Sequence, residues 1–225
     1  MSAVAQMSTG ACATHEYARQ FRHDDGWGAA AVLDSHDTVA VFRGAMPISQ
    51  STVAGSLDRL TCRALVVHAR AASKPAQRGL VFAHPIEATI GDERVWFFHN
   101  GFCPTVHELI GLSESRWDSE ELLGWLLPAF SATDWRRALR QRLARLRAGT
   151  ANCVFLFSQR LIVCNWIDVT VGANQYYTMH AHVTSRSVIV ASEPAPALVG
   201  PWIPLGHGRI LECRVNVDGA VVSED

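Results

Sequence analysis

Three short stretches of this chain carry residues whose types and spacing could do chemistry. They are His23-Asp24-Asp25-Gly26-Trp27-Gly28, Val67-His68-Ala69-Arg70-Ala71-Ala72-Ser73 and Phe98-His99-Asn100-Gly101. The second offers a guanidinium, which can hold a carboxylate through two parallel hydrogen bonds. The first and third place Gly beside polar residues, where a backbone can approach a ligand closely. Taken singly, each has an ordinary explanation. Two Asp residues before Gly-Trp-Gly suit a tight turn entering a strand. His-x-Arg after an apolar run is a weak signal, and Asn-Gly is a frequent hairpin turn. Their order and spacing say more than any one of them.

Apolar periodicity supplies the elements that must position them. Residues 2–9 read as a short first strand. Residues 27–33 and 38–42 read as a strand pair, broken by a turn at Asp34-Ser35-His36-Asp37. Residues 51–60 place Val53, Ala54, Leu57 and Leu60 at helical spacing. Residues 64–67 and 95–98 are compact apolar runs, expected as buried strands leading into His68 and His99. Two helices follow, over 119–130 and 133–147. The first carries Leu122, Leu123, Leu126 and Leu127. In the second, Thr133 is the expected cap, Trp135, Leu139, Leu143 and Leu146 form a stripe, and Gly149 closes the end. Strands are expected again at 153–157, 161–166, 175–178, 187–191 and 209–215. Strands on both sides of a helical block indicate an α+β layered domain.

With 225 residues, 48% apolar and 18% charged, the chain has ample material for a buried core. A formal net charge of −1 calls for neither nucleic acid nor an anionic membrane. No apolar run approaches the roughly 18–20 residues of a membrane span. The N-terminus lacks the basic-then-apolar pattern of a signal peptide, so a cytoplasmic protein is expected. Cys12, Cys62, Cys103, Cys153, Cys164 and Cys213 are scattered and read as reduced structural thiols. His180 and His182 share one face of an expected strand without a third ligand at metal spacing, so no metal and no cofactor is expected. Arg136, Arg137, Arg140, Arg142, Arg145 and Arg147 read as a solvated helix face or a docking surface for an acidic partner.

In order, the three stretches resemble the glutaminase domain of the class II glutamine amidotransferases, a group of N-terminal-nucleophile hydrolases. The resemblance extends to Ala83-His84-Pro85, Asp118-Ser119-Glu120 and Ile189-Val190-Ala191-Ser192-Glu193-Pro194, and so covers most of the chain. It is strongest toward small stand-alone members. It implies one glutaminase-like domain over residues 1–225 with a four-layer αββα sandwich. It implies hydrolysis or transfer at a γ-glutamyl amide, either glutamine or a γ-glutamylated biosynthetic intermediate. By the same resemblance, Arg70 holds the substrate carboxylate and Asp118 its ammonium. Asn100 and the Gly101 N–H serve the oxyanion, and Ser73, His99 and Trp27 line the substrate. The implied partners are a small-molecule γ-glutamyl substrate and, for an ammonia-supplying subunit, a separate synthase protein, because 225 residues leave no stretch for a synthase domain.

The family nucleophile is a Cys exposed as the first residue once the initiator Met is removed. Its own α-amine, with an ordinary pKa of about 7.7–8, serves as base. This chain has Ser2 at that place. Three readings stay open. Ser2 is a working nucleophile, Ser2 silences the site and leaves a binding or scaffold module, or Cys12 becomes the nucleophile after processing. The last would discard the expected first strand.

Overall fold

The structure, a computed structural model, describes residues 2–10, 21–34, 38–168, 174–215 and 221–224. Cys12 and the expected turn at 35–37 lie outside them. The domain is organised around strand β5 (Glu93–Phe102). Successive side chains of a strand point to opposite faces, and β5 is apolar on both. Val95 and Phe97 join one cluster of buried residues, whereas Trp96 and Phe98 join another. It therefore needs a layer on each side.

Strand β5 lies between β4 (Ile86–Ile90) and β6 (Thr150–Leu156). The sheet continues through β7 (Arg160–Asn165), β11 (Arg209–Arg214) and β12 (Val221–Glu224), each pair antiparallel. On one face, Phe97, Phe155 and Ile162 pack beneath Leu122, Leu126, Leu139 and Leu143. Those leucines come from α4 (Asp118–Leu126) and α5 (Trp135–Leu143), which follow the short helix α3 (Val106–Leu109). On the other face, Trp96, Phe98 and Leu156 meet Ala30, Val32 and Val66. The latter belong to a second sheet, ordered β2 (Val39–Gly44), β1 (Trp27–Leu33), β3 (Cys62–Ala69). The far side of that sheet buries Trp27 and Ala29 with Val4 and Ala5 of α1 (Ser2–Ser8) and Ala54 of α2 (Thr52–Ser56). Helices, sheet, sheet and helices in succession make the four-layer αββα sandwich. A small sheet of β8 (His180–Val183), β9 (Val188–Ala191) and β10 (Ile203–Pro204) packs over Val163 and Leu211.

Several elements differ from the sequence reading. The expected first strand, over Ser2, is helix α1. Ala3, Ala5, Gln6 and Met7 favour a helix, and Val4, Ala5 and Ser8 form its inward face. The expected strand at 175–178 falls on a single helical turn, α6 (Asn174–Tyr177). The β preference of its two tyrosines is a weak prior that context overrides. Asp134, rather than Thr133, caps α5, accepting from the Arg137 N–H at 3.0 Å. That helix ends at Leu143, well before Gly149. The Asn100-Gly101 pair lies inside β5 instead of forming a turn. The arginines of and just after α5 are partly spent on packing. Arg142 and Arg145 lie 4.7 and 5.1 Å from the Trp125 ring centre, and Arg136 pairs with Glu212. Among the described residues, no helix is long and apolar enough to cross a membrane.

One close approach shapes the junction between the sheets. A Cβ built on Gly28 of β1 would stand 1.6 Å from the His84 carbonyl oxygen. Only glycine lets the chain at His84 lie against β1 this way.

Candidate active site

Strands β3 and β5 end at the same edge of the sandwich, and their last residues open into one cleft. It is lined by His23, His68, Arg70, Ser73, Gln77, His84, His99, Asn100, Gly101, Trp117, Asp118 and Ser119, among others. About 390 Å³ of space, part of it open to solvent, lies within it.

The first two sequence stretches converge because backbone bonds tie them together. The Asp25 N–H donates to the Arg70 carbonyl at 2.9 Å, and the Arg70 N–H donates to the Gly26 carbonyl at 2.8 Å. Asp25 also accepts from the Ala72 N–H at 2.9 Å and pairs with Arg78 at 2.9 Å. The Asp-Asp-Gly loop thus holds the residue after β3 in place, and that residue is Arg70. Its side chain is 5% exposed, and its Nη1 has no protein partner. Burial pulls the Arg70 pKa down, while the charges of Asp25 and Asp118 oppose that shift.

Asp118 opens α4 and is 6% exposed. It accepts from the Cys103 N–H at 3.0 Å, which fixes one oxygen. His99 is held at both ring nitrogens. Nε2 donates to the Thr150 carbonyl at 3.0 Å, and Nδ1 accepts from the Ser119 hydroxyl at 3.0 Å. This locks β5 to β6 and to the start of α4, so Asn100 and Gly101 have a rigid base. A Cβ on Gly101 would stand 1.9 Å from the Thr150 carbonyl oxygen, so glycine is required there.

Of the expected site residues, Arg70, Ser73, His99, Asn100, Gly101 and Asp118 line the cleft together. Trp27 does not. It is fully buried on the opposite face of the second sheet, beneath α1 and α2. Being first in β1, it points by strand alternation to that layer and away from β5. Ser2 begins helix α1, whereas the sequence reading puts it at the start of a short first strand. No described side chain of α1 lines the cleft. Sequence reasoning passed over His68 and His84 as site residues. Both stood inside the quoted motifs, and their imidazoles are polar groups next to apolar runs.

Burial pushes the His68 pKa down to about 3, with His23, His99 and Arg70 adding repulsion. Burial also drives His84 well below its ordinary value. Both are neutral at pH 7. An imidazole in the unfolded chain titrates near 6.5, so between about 6.5 and 3 the unfolded state binds more protons. Stability is therefore expected to fall as pH drops through that window. His68 alone should remove about 2 kcal/mol between pH 7 and pH 5, and His84 acts in the same direction. Urea unfolding at pH 7, 6 and 5 measures this loss, which should shrink in His68→Asn.

Among the described residues, no group of three His, Cys, Asp or Glu could hold a metal ion. A family model for class II glutamine amidotransferases matches residues 6–163. The chain belongs to that family. A comparison with curated protein sequences gives no match. Among solved structures, this amidotransferase domain is similar to the glutamine phosphoribosylpyrophosphate amidotransferase of B. subtilis, with a TM-score of 0.64 and 16% identity. The similarity covers 89% of this chain but 43% of that one, so the domain spans less than half of that enzyme's length. It is also similar to a glutamine aminotransferase class-II domain protein from Silicibacter pomeroyi (TM-score 0.57, 18% identity), covering 88% and 90% of the two chains. A third similar structure is a predicted glutamine amidotransferase from Pseudomonas aeruginosa (TM-score 0.56, 17% identity), covering 85% of each chain. At these identities the likeness is one of fold.

Proposed function

We propose that the cleft binds the α-amino-acid head of a γ-glutamyl amide and that the chain hydrolyses or transfers at that amide, with Ser2 as nucleophile. One observation carries the reading. The buried Arg70, with Nη1 open, shares a single cleft with Asp118, Asn100 and Gly101. A buried cationic donor is costly until an acceptor meets it. The zwitterionic head of glutamine supplies a carboxylate for Arg70 and an ammonium for Asp118. The Asn100 amide and Gly101 N–H then serve the oxyanion of the tetrahedral intermediate. In the reaction, the residue 2 hydroxyl attacks the amide carbon and its proton passes through the free α-amine to the departing amine. Water then cleaves the γ-glutamyl ester. The substrates in view are glutamine and γ-glutamylated biosynthetic intermediates in the cytoplasm. A synthase partner protein would consume ammonia in the two-protein form.

The helical form of residues Ser2–Ser8 favours a second reading, in which the cleft binds such compounds without turnover. Variants at residue 2 decide between the two. Ser2→Cys, with Met1 removed, is expected to hydrolyse a γ-glutamyl anilide faster than the unchanged protein. Ser2→Ala, or retention of Met1, should abolish activity. Intact mass after incubation with an electrophilic glutamine analogue reports Met1 removal and the modified residue together. A Ser2→Cys protein that binds glutamine but is never acylated establishes the binding-only reading. Activity lost only in Cys12→Ser moves the nucleophile to Cys12.

A further inference from the structure

Three asparagines stand in one row across the central sheet. Asn100 of β5 pairs with Asn152 of β6, and Asn165 of β7 lies opposite Asn152, one step beyond the Cys153–Cys164 pair. Phe97, Cys153 and Cys164 lie on the side of α4 and α5, so strand alternation turns the three asparagines to the other face. Asn152 is 2% exposed, and its side chain bonds the Tyr177 carbonyl, at the end of α6, at 2.6 Å. A carbonyl only accepts, so the Asn152 group on that side is the NH2 and the remaining atom is Oδ1. Oδ1 is buried without a partner. An acceptor so placed is costly until a donor reaches it. Asn165 does not supply one. Its Nδ2 donates to the Leu205 carbonyl at 2.8 Å, and its Oδ1 accepts from the Met179 N–H at 3.0 Å. The diagonal neighbours on β5 and β7, Phe98, Phe102 and Val163, have apolar side chains. In this row that leaves the Asn100 carboxamide, which has no hydrogen-bond partner among the described residues.

Resting on the oxyanion role read for Asn100, we infer that Asn152 is a positioning residue: its Oδ1 accepts one N–H of the Asn100 carboxamide and so aims the other at the carbonyl oxygen of the scissile amide. Asn152 does not line the cleft, so it acts through Asn100 and not on the substrate. An amide NH2 carries two hydrogens in a fixed plane. Bonding one therefore sets the direction of the other. The terminal torsion of asparagine is broad, and a turn about it in Asn100 makes the bond. The Tyr177 carbonyl holds the Asn152 amide from behind, which keeps Oδ1 from swinging away. A donor fixed in advance is what makes an oxyanion site effective, because nothing has to reorganise as charge develops.

Kinetics on a γ-glutamyl anilide, in a Ser2→Cys parent with Met1 removed, test this. Asn100→Ala should lower kcat by about 100- to 1,000-fold. Asn152→Leu should lower kcat by about tenfold or more and move KM by less than about threefold, because Arg70 and Asp118 are untouched. The double variant should be no slower than Asn100→Ala, since Asn152 acts only through Asn100. Losses that multiply in the double variant are those of a merely structural residue. That result, or an unchanged kcat in Asn152→Leu, overturns the inference while leaving Asn100 its role. A crystal structure of the unchanged protein with glutamine bound gives a check free of folding defects. Asn100 Nδ2 should lie within about 3.2 Å of Asn152 Oδ1, and a separation beyond about 3.5 Å overturns the assignment. No turnover in the Ser2→Cys parent, or an undiminished kcat in Asn100→Ala, overturns the oxyanion reading itself, and this inference with it.

Discussion

Glutamine binding is expected to weaken by about 2–5 kcal/mol, thirtyfold or more, when Arg70 is replaced by leucine. Arg70 is 5% exposed and its Nη1 is buried without a protein partner, so a bound carboxylate would meet an otherwise unsatisfied cationic donor. Removing it leaves the carboxylate buried against Asp118 with no counter-charge. Arg70→Lys should recover little, because an ammonium cannot donate two parallel bonds to a carboxylate. Asp118→Asn should also weaken binding, but it disturbs the fold as well, since Asp118 accepts from the Cys103 N–H. Calorimetry with glutamine, alongside thermal melts, separates the two effects. Binding unchanged in both Arg70→Lys and Asp118→Asn would contradict the clamp.

The second large effect is expected in stability. Gly28→Ala places a methyl 1.6 Å from the His84 carbonyl oxygen and 3.2 Å from that of Phe42. Backbone atoms cannot turn aside as a side chain can, so β1 and the chain at His84 must separate. The cost should be about 3 kcal/mol or more, at the upper end for overpacking, which lowers Tm by about 6–12 °C at this chain length. Gly124→Ala is the matched control. Gly124 lies in α4 with open space at its Cβ position, and alanine there should stabilise by about 0.5–1 kcal/mol. Equal melting curves for the two variants would contradict the packing described at Gly28.

An α+β layered domain was legible from strands on both sides of a helical block, and its four-layer form only through the family resemblance; the structure supplies the physical reason, since β5 carries apolar residues on both faces. The gathering of Arg70, Asn100 and Asp118 in one cleft was legible through motif order, since each follows or opens a strongly patterned stretch of sequence. What escaped has physical reasons. Whether seven residues rich in alanine form strand or helix depends on what they dock against, and α1 docks on a cluster assembled from β1, β3 and α2. Trp27 sits in the right motif, but its face depends on register, which a one-residue shift reverses. His68 and His84 gain their character only from burial in three dimensions, since as sequence they are ordinary imidazoles beside apolar runs.

Helix α1 has a consequence for how the domain opens. A helix of seven residues is far below the about 12–15 needed to persist alone in water, so it stays wound only while Val4 and Ala5 remain docked. Arg70, Asn100 and Asp118 instead hang on strands and a helix knit into the central core. In amide-exchange terms, β5 should open only with the whole domain, whereas α1 belongs to the low-energy end of the opening spectrum. Residue 2 thus sits on a separate cooperative unit from the residues that would grip a ligand. The first turn of the chain can unwind and rewind many times while a molecule held in the cleft stays where it is.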